Sequence, residues 1–516
     1  MPEPLQYFRE NQSITRKNKG AVTPMAYKKP LSISLLALFI SGCAVTSQPI
    51  DRQASLQRAE QDMVLMFKNQ EPLQGPLTLH QAMARAVKYN LEARLKLMEE
   101  AMAERQLDLA NLDLLPRITA QAGYVGRSNV SASSSESIET GTQSLEPSTS
   151  QEQHRQVADL NMVWNVLDFG VGYLSAKQQA DQRLIMQERR RKVLHTITQD
   201  VRSAYWQAVA AGRLLQQIDD LLARVDQARQ DSGRLQQQKL GDMVQNLSYQ
   251  RSLIEATRRL EEQRRALSLA NTRLAALINL PLDSDFTLAD TGHYEMPEVT
   301  APLQQLEQEA LANRPELREQ DYQSRISATE TRKAMLRLMP GLEFSAGGHY
   351  DSNDFLTNNS WADYGVKITW NLFNVLSGPA AIDAAKAGEQ VATARRQAMS
   401  MAVLAQLYVA NANFNEARRQ FATSQELAEL DEQIAVQLRN RHRAQAIGEL
   451  ELIQGELNNL QAKLRRDLAY ADLRNAYAQL FVSTGADLLP ETLPDASIDT
   501  LAQALATGEQ QWQQGI

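Results

Sequence analysis

Residues 112–126, LDLLPRITAQAGYVG, change period at a proline. Up to Leu115 they read as the close of an amphipathic helix that starts near residue 77 and runs for more than thirty residues. After Pro116, Ile118, Ala120, Ala122 and Tyr124 alternate with Arg117, Thr119 and Gln121, and Arg127 completes the polar side. A period of two belongs to a strand, whose successive side chains point to opposite faces. Proline explains the switch, because it disfavours helix at the residue before it and cannot donate the next helical hydrogen bond. Residues 336–350, LRLMPGLEFSAGGHY, make the same change at Pro340. Pro116 and Pro340 are therefore expected to be helix–strand junctions.

Three segments besides 117–127 alternate in the same way. Residues 158–166 set Ala158, Leu160, Met162, Trp164 and Val166 against Asp159, Asn161 and Asn165. Residues 342–350 set Leu342, Phe344, Ala346 and Tyr350 against Glu343, Ser345 and His349. Residues 362–371 set Ala362, Tyr364, Val366, Ile368 and Trp370 against Asp363, Lys367, Thr369 and Asn371. Each strand is about nine to eleven residues, the length that crosses a bilayer when tilted. Tyr124, Tyr350 and Tyr364 are expected towards the loops, and Trp164 and Trp370 towards the helices, as two interfacial girdles. A soluble sheet would need an apolar layer to cover these faces, and the flanking helices are committed to each other. Four strands cannot close a barrel, and an open edge in lipid leaves backbone groups unpaired. Two chains would give eight strands and a filled interior. Three would give twelve and room for water, the only case in which a polar inner face has a use.

Composition sets the rest of the chain apart from a compact domain. Hydrophobic residues make up 43 % of the 516, aromatics only 6 %, and long proline-free runs rich in Ala, Gln, Leu, Arg and Glu suit helical bundles. A formal charge of −7 with dispersed Lys and Arg excludes a nucleic-acid binder. The single cysteine is informative by its place. In MAYKKPLSISLLALFISGCAV, Lys28 and Lys29 precede an apolar run over 31–40, about half the length a membrane-spanning helix needs. It reads as a signal-peptide core, with Met25 the more natural start. Ile40-Ser41-Gly42-Cys43 resembles a bacterial lipoprotein box, in which Cys43 becomes the lipidated, palmitate-bearing first residue. Losing residues 1–42, with six Lys/Arg and two Asp/Glu, takes the formal charge from −7 to −11. A lipidated Cys43 leaves no thiol for a disulfide, a metal or a nucleophile. Ala44 in place of Asp favours sorting to the outer membrane.

The chain reads as written twice. LTLHQAMARAVKYN opens one unit at Leu77 and ALANRPEL another near Leu306; Asn90 and Arg314, like Pro116 and Pro340, are 224 positions apart. Trp164 and Trp370 are only 206 apart, because the polar stretch 128–157, expected as a solvated loop, lengthens the first unit. Runs 173–240 and 380–447 are long enough for helices of about 100 Å, each ending at a glycine, Gly241 or Gly448, where a helix can reverse. Leu253, Leu260, Leu267 and Leu274 recur every seventh residue, and Leu214, Ile218, Leu221, Val225 and Ala228 step by four and three, as coiled-coil seams do. The expected layout is a leader over 1–42, an anchored segment over 43–76, units over 77–281 and 304–485, a connector over 282–303 and a tail over 486–516.

In this order and duplication, with WNVLDFG, WNLFN and DVRSAYW, the chain resembles the TolC-type outer membrane efflux proteins, as a lipid-anchored member. The resemblance implies an α+β membrane protein: a long α-helical coiled-coil barrel joined to a transmembrane β-barrel of four strands per chain, twelve in a homotrimer. It implies a passive conduit taking substrate from an inner membrane pump of RND or ABC type through a periplasmic adaptor, in tripartite efflux or type I secretion. Leu240, Gly241, Asp242, Ile447, Gly448 and Glu449 are then adaptor contacts at the tips, or merely helix-reversal residues. Glu449, Glu451 and Glu456 stand where the family narrows its tip with acidic rings, in place of its usual aspartates. They form a cation-favouring ring or a solvated face. Arg439, Arg441 and Arg443 hold the tip shut or are solvated. The polar strand residues are expected to line the lumen.

No catalytic arrangement competes with this. The sequence has no phosphate loop, GxSxG or HExxH, and His80, His154, His195, His293, His349 and His442 are too scattered for a metal site, so no enzyme, metal or cofactor beyond the lipid is expected. The competing reading is a coiled-coil lipoprotein that tethers membranes without conducting, which has no need of two-faced strands.

Overall fold

The computed structural model describes Ser47 and residues 49–144, 146–237, 243–290, 292–487 and 497–513. Residues 1–42, Cys43, Leu240, Gly241 and Asp242 lie outside the described residues. Two compact units divide at Val64 and Leu65. The first carries most of α1 (Arg52–Met66), which has no buried residue. In the second, α2 (Leu79–Tyr89), α3 (Leu91–Leu112), β1 (Arg117–Gly126), β2 (Ala132–Ser133), β3 (Ser148–Thr149), β4 (His154–Asn165), α4 (Val166–Gln237), α5 (Met243–Ser268) and α6 (Ala270–Leu277) are followed by α7 (Leu303–Asn313), α8 (Pro315–Leu336), β5 (Gly341–Asp351), β6 (Ser360–Thr369), α9 (Phe373–Arg443), α10 (Glu449–Ser483) and α11 (Ile498–Gln513).

The helix expected to exceed thirty residues is two helices. Asn90 (φ −61°, ψ 130°) and Arg314 (φ −61°, ψ 126°) are both extended and break the chain at equivalent places. Asn90 Oδ1 accepts from the backbone N–H of Glu92 and Ala93 and so restarts the helix. At the second break Pro315, at the first helical position, does the restarting. Each break is tied to the end of a returning helix: Asn90 Nδ2 donates to Leu277 O at 3.0 Å, and an Arg314 Nη donates to Val482 O at 3.1 Å. The helices before the prolines end at Leu112 and Leu336, and the strands start at Arg117 and Gly341. Pro116 and Pro340 sit at the junctions as the sequence requires.

The long helices have 72 and 71 residues, about 110 Å each at helical rise. Their pairing rests on buried stripes. Leu214, Ile218, Leu221, Val225 and Ala228 on α4 share one core with Leu253, Leu260, Leu267 and Leu274 on α5 and α6. On α9, Val403, Leu407, Ala410, Phe414 and Phe421 step by four, three, four and seven. They share a second core with Tyr470, Leu473, Tyr477 and Leu480 of α10. That seam has the same spacing but uses aromatics, so a search for leucines passes over it.

Two segments expected to be plain connections are structured. In the tail, α11 buries Ile498, Leu501, Ala502 and Leu505 in the core that also holds Ala82, Met83 and Ala86 of α2. The buried carboxylate Glu509 meets Arg202 at 2.8 Å, His80 at 3.0 Å and Arg474 at 3.5 Å. Burial alone would raise this carboxyl's pKa, but the cations outweigh it and hold it well below the usual carboxylate range. The stretch between β1 and β4, shorter than the expected loop because β4 starts at His154, carries the β2–β3 pair and a bridge between Glu136 and Gln143. Most of its side chains are polar and exposed, its apolar Val130 and Ile138 are exposed too, and the pairing, with Gly141 at φ 64°, rests on the backbone.

Candidate functional site

Four strands form one antiparallel sheet in the order β1-β4-β5-β6. Residues opposite one another share a face, so the register sorts every side chain. Thr119, Asn161, Gly347 and Asp363 form one row across the sheet; Gln121, Asp159, His349 and Trp361 form the next. Arg117 and Ser345 lie in the row of Val163, and Asn165, Glu343 and Lys367 in another; Thr369 faces Gly341. These residues occupy one face, and Ile118, Ala122, Leu160, Met162, Trp164, Phe344, Tyr350, Val366 and Ile368 occupy the other. The large apolar side chains of that second face are exposed. On the two middle strands Asp159, Asn161, Asn165, Glu343, Ser345 and His349 are less exposed, as expected where a sheet curls about its polar side. β1 and β6 pair on one side only, and nearly every residue in them is exposed.

Four positions differ from the sequence reading. Asn371 lies beyond β6, where its Oδ1 accepts from Phe373 N–H at 3.1 Å and starts α9. Tyr364 faces Ala346 in mid-strand instead of sitting near a loop. Val163 and Trp361, which alternation assigns to the polar face despite their apolar character, went unread. At the helical end Trp164 packs edge-on to Phe169, and Trp370 Nε1 donates to Leu338 O at 3.0 Å.

The most built part of the polar face centres on His349. Its Nδ1 is 2.7 Å from Asp159 Oδ1 on β4, and its Nε2 is 3.2 Å from Asp363 Oδ2 on β6. Trp361 stacks on the imidazole with centroids 5.2 Å apart. Nearer the loops Arg155 meets Asp351 at 2.5 Å, and the buried Asn353 accepts from Glu152 N–H and donates to Ser150 O.

The second helix reversal is a lattice of ion pairs. The α9 helix stops at Arg443; Ala446 N–H donates to Arg441 O at 2.9 Å, and the left-handed residue is Gln445, at φ 57°. Gly448, expected to make the reversal, instead precedes α10 as its N-cap with an ordinary φ of −82°, and a Cβ there would meet nothing. Ile447 O accepts from His442 Nδ1 at 3.3 Å, and His442 Nε2 is 3.1 Å from Glu449. Arg224 on α4 reaches both Glu449, at 2.8 Å, and Glu456. Despite desolvation, these two carboxylates raise its pKa. Arg439 pairs with Glu432 at 3.1 Å, and the hydrogen bond from Lys463, joined by that from Asn459, takes the Glu432 carboxyl down to about 2. Glu451, Arg441 and Arg443 are exposed. Sequence reasoning did not find Arg224, because nothing near it marks its partners. His80 and His195 are paired with Glu509 and Asp487.

Among the described residues, no helix is long and apolar enough to cross a membrane, and no group of His, Cys, Asp and Glu is placed to hold a metal ion. No family model matches the chain, and no curated protein matches it. Solved structures do. The open-state MtrE outer membrane channel of Neisseria gonorrhoeae is 16 % identical, with a TM-score of 0.61 over 81 % of this chain and 94 % of that one. The chain has the TolC-type outer membrane channel fold. CmeC of Campylobacter jejuni shares the TolC-type fold at 12 % identity, with a TM-score of 0.61 over 86 % of this chain and 94 % of that one. For CusC the values are 18 %, 0.60, 81 % and 95 %. MtrE and CmeC are outer membrane channels, and CusC forms a transmembrane channel.

Proposed function

We propose that the chain is one third of a trimeric outer membrane channel that passively conducts substrates delivered from the inner membrane. The observation that carries this is the sheet, with one polar face, one exposed apolar face and two open edges. Lipid cannot satisfy open backbone edges, and water does not favour an exposed apolar face of this size. β1 leaves the helices and β6 returns to them, so β6 of one chain beside β1 of the next continues the antiparallel alternation. Three copies then close twelve strands around the polar faces, with the long helices forming the periplasmic tunnel below. Units 77–281 and 304–485 supply two strands each, and the lipid on Cys43 adds an anchor to the outer membrane. The likeness to solved channels supports this reading through the fold.

The tips, at Gly241 with its neighbours and at Ile447 to Glu449, meet a periplasmic adaptor, which couples the channel to an RND or ABC pump for efflux or type I secretion. At the second tip, Glu449 and Glu456 are engaged by Arg224, so an acidic ring rests mainly on Glu451. Opening separates Arg224 on α4 from α10, and Arg439 helps to keep the tip closed. A tether has no use for a polar sheet face, which disfavours that reading. The test is the purified full-length protein, sized in detergent and then placed in planar bilayers. A mass three times that of the chain and stepwise ion conductance are expected; a monomer without conductance overturns the proposal.

A further inference from the structure

We propose that Asp159, His349 and Asp363 form a proton-operated selectivity element inside the β-barrel; this rests on the channel reading. Asp159 Oδ1 lies 2.7 Å from Nδ1 of His349 and, when ionised, can only accept, so Nδ1 carries a proton. Nε2 then faces Asp363 Oδ2 at 3.2 Å, shut off from water and without a hydrogen bond. In the neutral imidazole this sets a lone pair against a carboxylate. In the imidazolium both nitrogens carry protons, and each faces a carboxylate on a neighbouring strand. Two features hold the ring in this bridge. Trp361 stacks on it, and Gly347 leaves room that a side chain would take: a Cβ there would lie 2.6 Å from His349 Nε2 and 2.8 Å from both Asn161 Oδ1 and Asp363 Oδ1.

The surroundings leave His349 as the group whose proton changes the charge of this row. On β4 the next charge is Arg155, which is held by Asp351 of β5. Glu343 on β5 and Lys367 on β6 face each other nearer the helices. β1 offers the uncharged Gln121 and Thr119 alongside, and Arg117 only at its helical end. With bulk water as source and sink of the proton, the cluster carries one net negative charge when His349 is protonated and two when it is not. An imidazole changes charge near neutral pH, and the two facing carboxylates favour its charged form, so the lumen of a trimer becomes more cation-selective as pH rises through neutrality and above.

The experiment is the reversal potential of full-length protein in planar bilayers under a potassium chloride gradient, from about pH 5 to about pH 9. The potassium-to-chloride permeability ratio is expected to rise roughly twofold across this range. His349→Gln should hold it near the high-pH value at every pH. Asp363→Asn, at an exposed carboxylate, should lower the high-pH ratio while His349 stays paired with Asp159. Gly347→Ala should push the imidazole out of the bridge and shrink the step. A pore whose ratio has the same pH course in His349→Gln and wild type, or is flat in wild type, overturns this inference and leaves the channel reading standing. Failure of the wild type to form any pore overturns both.

Discussion

The sheet and the second helix reversal both crowd charge into a small space, and they organise it differently. In the sheet a side chain's surroundings follow from the parity of its position. Gln121 and Ala122 are neighbours in sequence and look out on opposite sides. At the reversal, surroundings follow from partners far along the chain: Arg224 meets Glu449 across 225 positions and Glu456 across 232. Local pattern therefore governs one end of the molecule and tertiary packing the other, so substitutions should fail differently at the two ends.

The largest effect on membrane insertion is expected from Ala122→Arg, which puts a cation on the apolar face in mid-strand. At the bilayer midplane that costs about 2–4 kcal/mol per chain, so insertion, read as protein in the outer membrane fraction, should be lost. Gln121→Arg, one position away, should insert normally and change only conduction. Equal behaviour of the two would break the parity rule. The largest effect on helix stability is expected from Phe421→Ala, which empties a fully buried position in the aromatic seam. Its expected cost is about 3–5 kcal/mol, read as a lower denaturant midpoint, with bilayer insertion of the folded fraction retained.

Acid should act on the reversal before the seams. Glu432 has its folded pKa depressed from 4.5 to about 2. Its pairing therefore contributes in full above about pH 4.5 and is lost as pH falls towards 2. Thermal melting of Glu432→Gln should lack the part of the acid loss that wild type shows in this window. The smallest effect is expected from Arg224→Ala. Its partners are partly exposed, so a double-mutant cycle with Glu456→Ala should give a coupling of about 1 kcal/mol or less. A much larger coupling would mean that the reversal, and not the seams, holds the helices together.

This contrast also explains what was legible in the sequence. The junctions at Pro116 and Pro340, the four strands, their two faces and the leucine seam are all consequences of local period. The break at Asn90 was not read, because the helical spacing continues across it and only an asparagine side chain turned onto its own backbone ends the helix. Gly448 was given a role that Gln445 performs, since a glycine marks permission for a left-handed turn and not its use. The apolar spacing of Ile498, Leu501, Ala502 and Leu505 was a usable sign of α11, masked by the proline-rich residues before it. Arg224 and the bridging role of His349 had no local sign at all; their partners lie on other elements.

The central claim is that one face of this sheet meets water and the other meets lipid. The most direct measurement is labelling of single cysteines at positions 118 to 122 of β1 with a membrane-impermeant maleimide, in outer membranes and after denaturation. The account predicts that the Thr119→Cys and Gln121→Cys variants label in membranes while Ile118→Cys, Ala120→Cys and Ala122→Cys are protected, and that all five label once unfolded. Uniform labelling, or protection without a period of two, would contradict it.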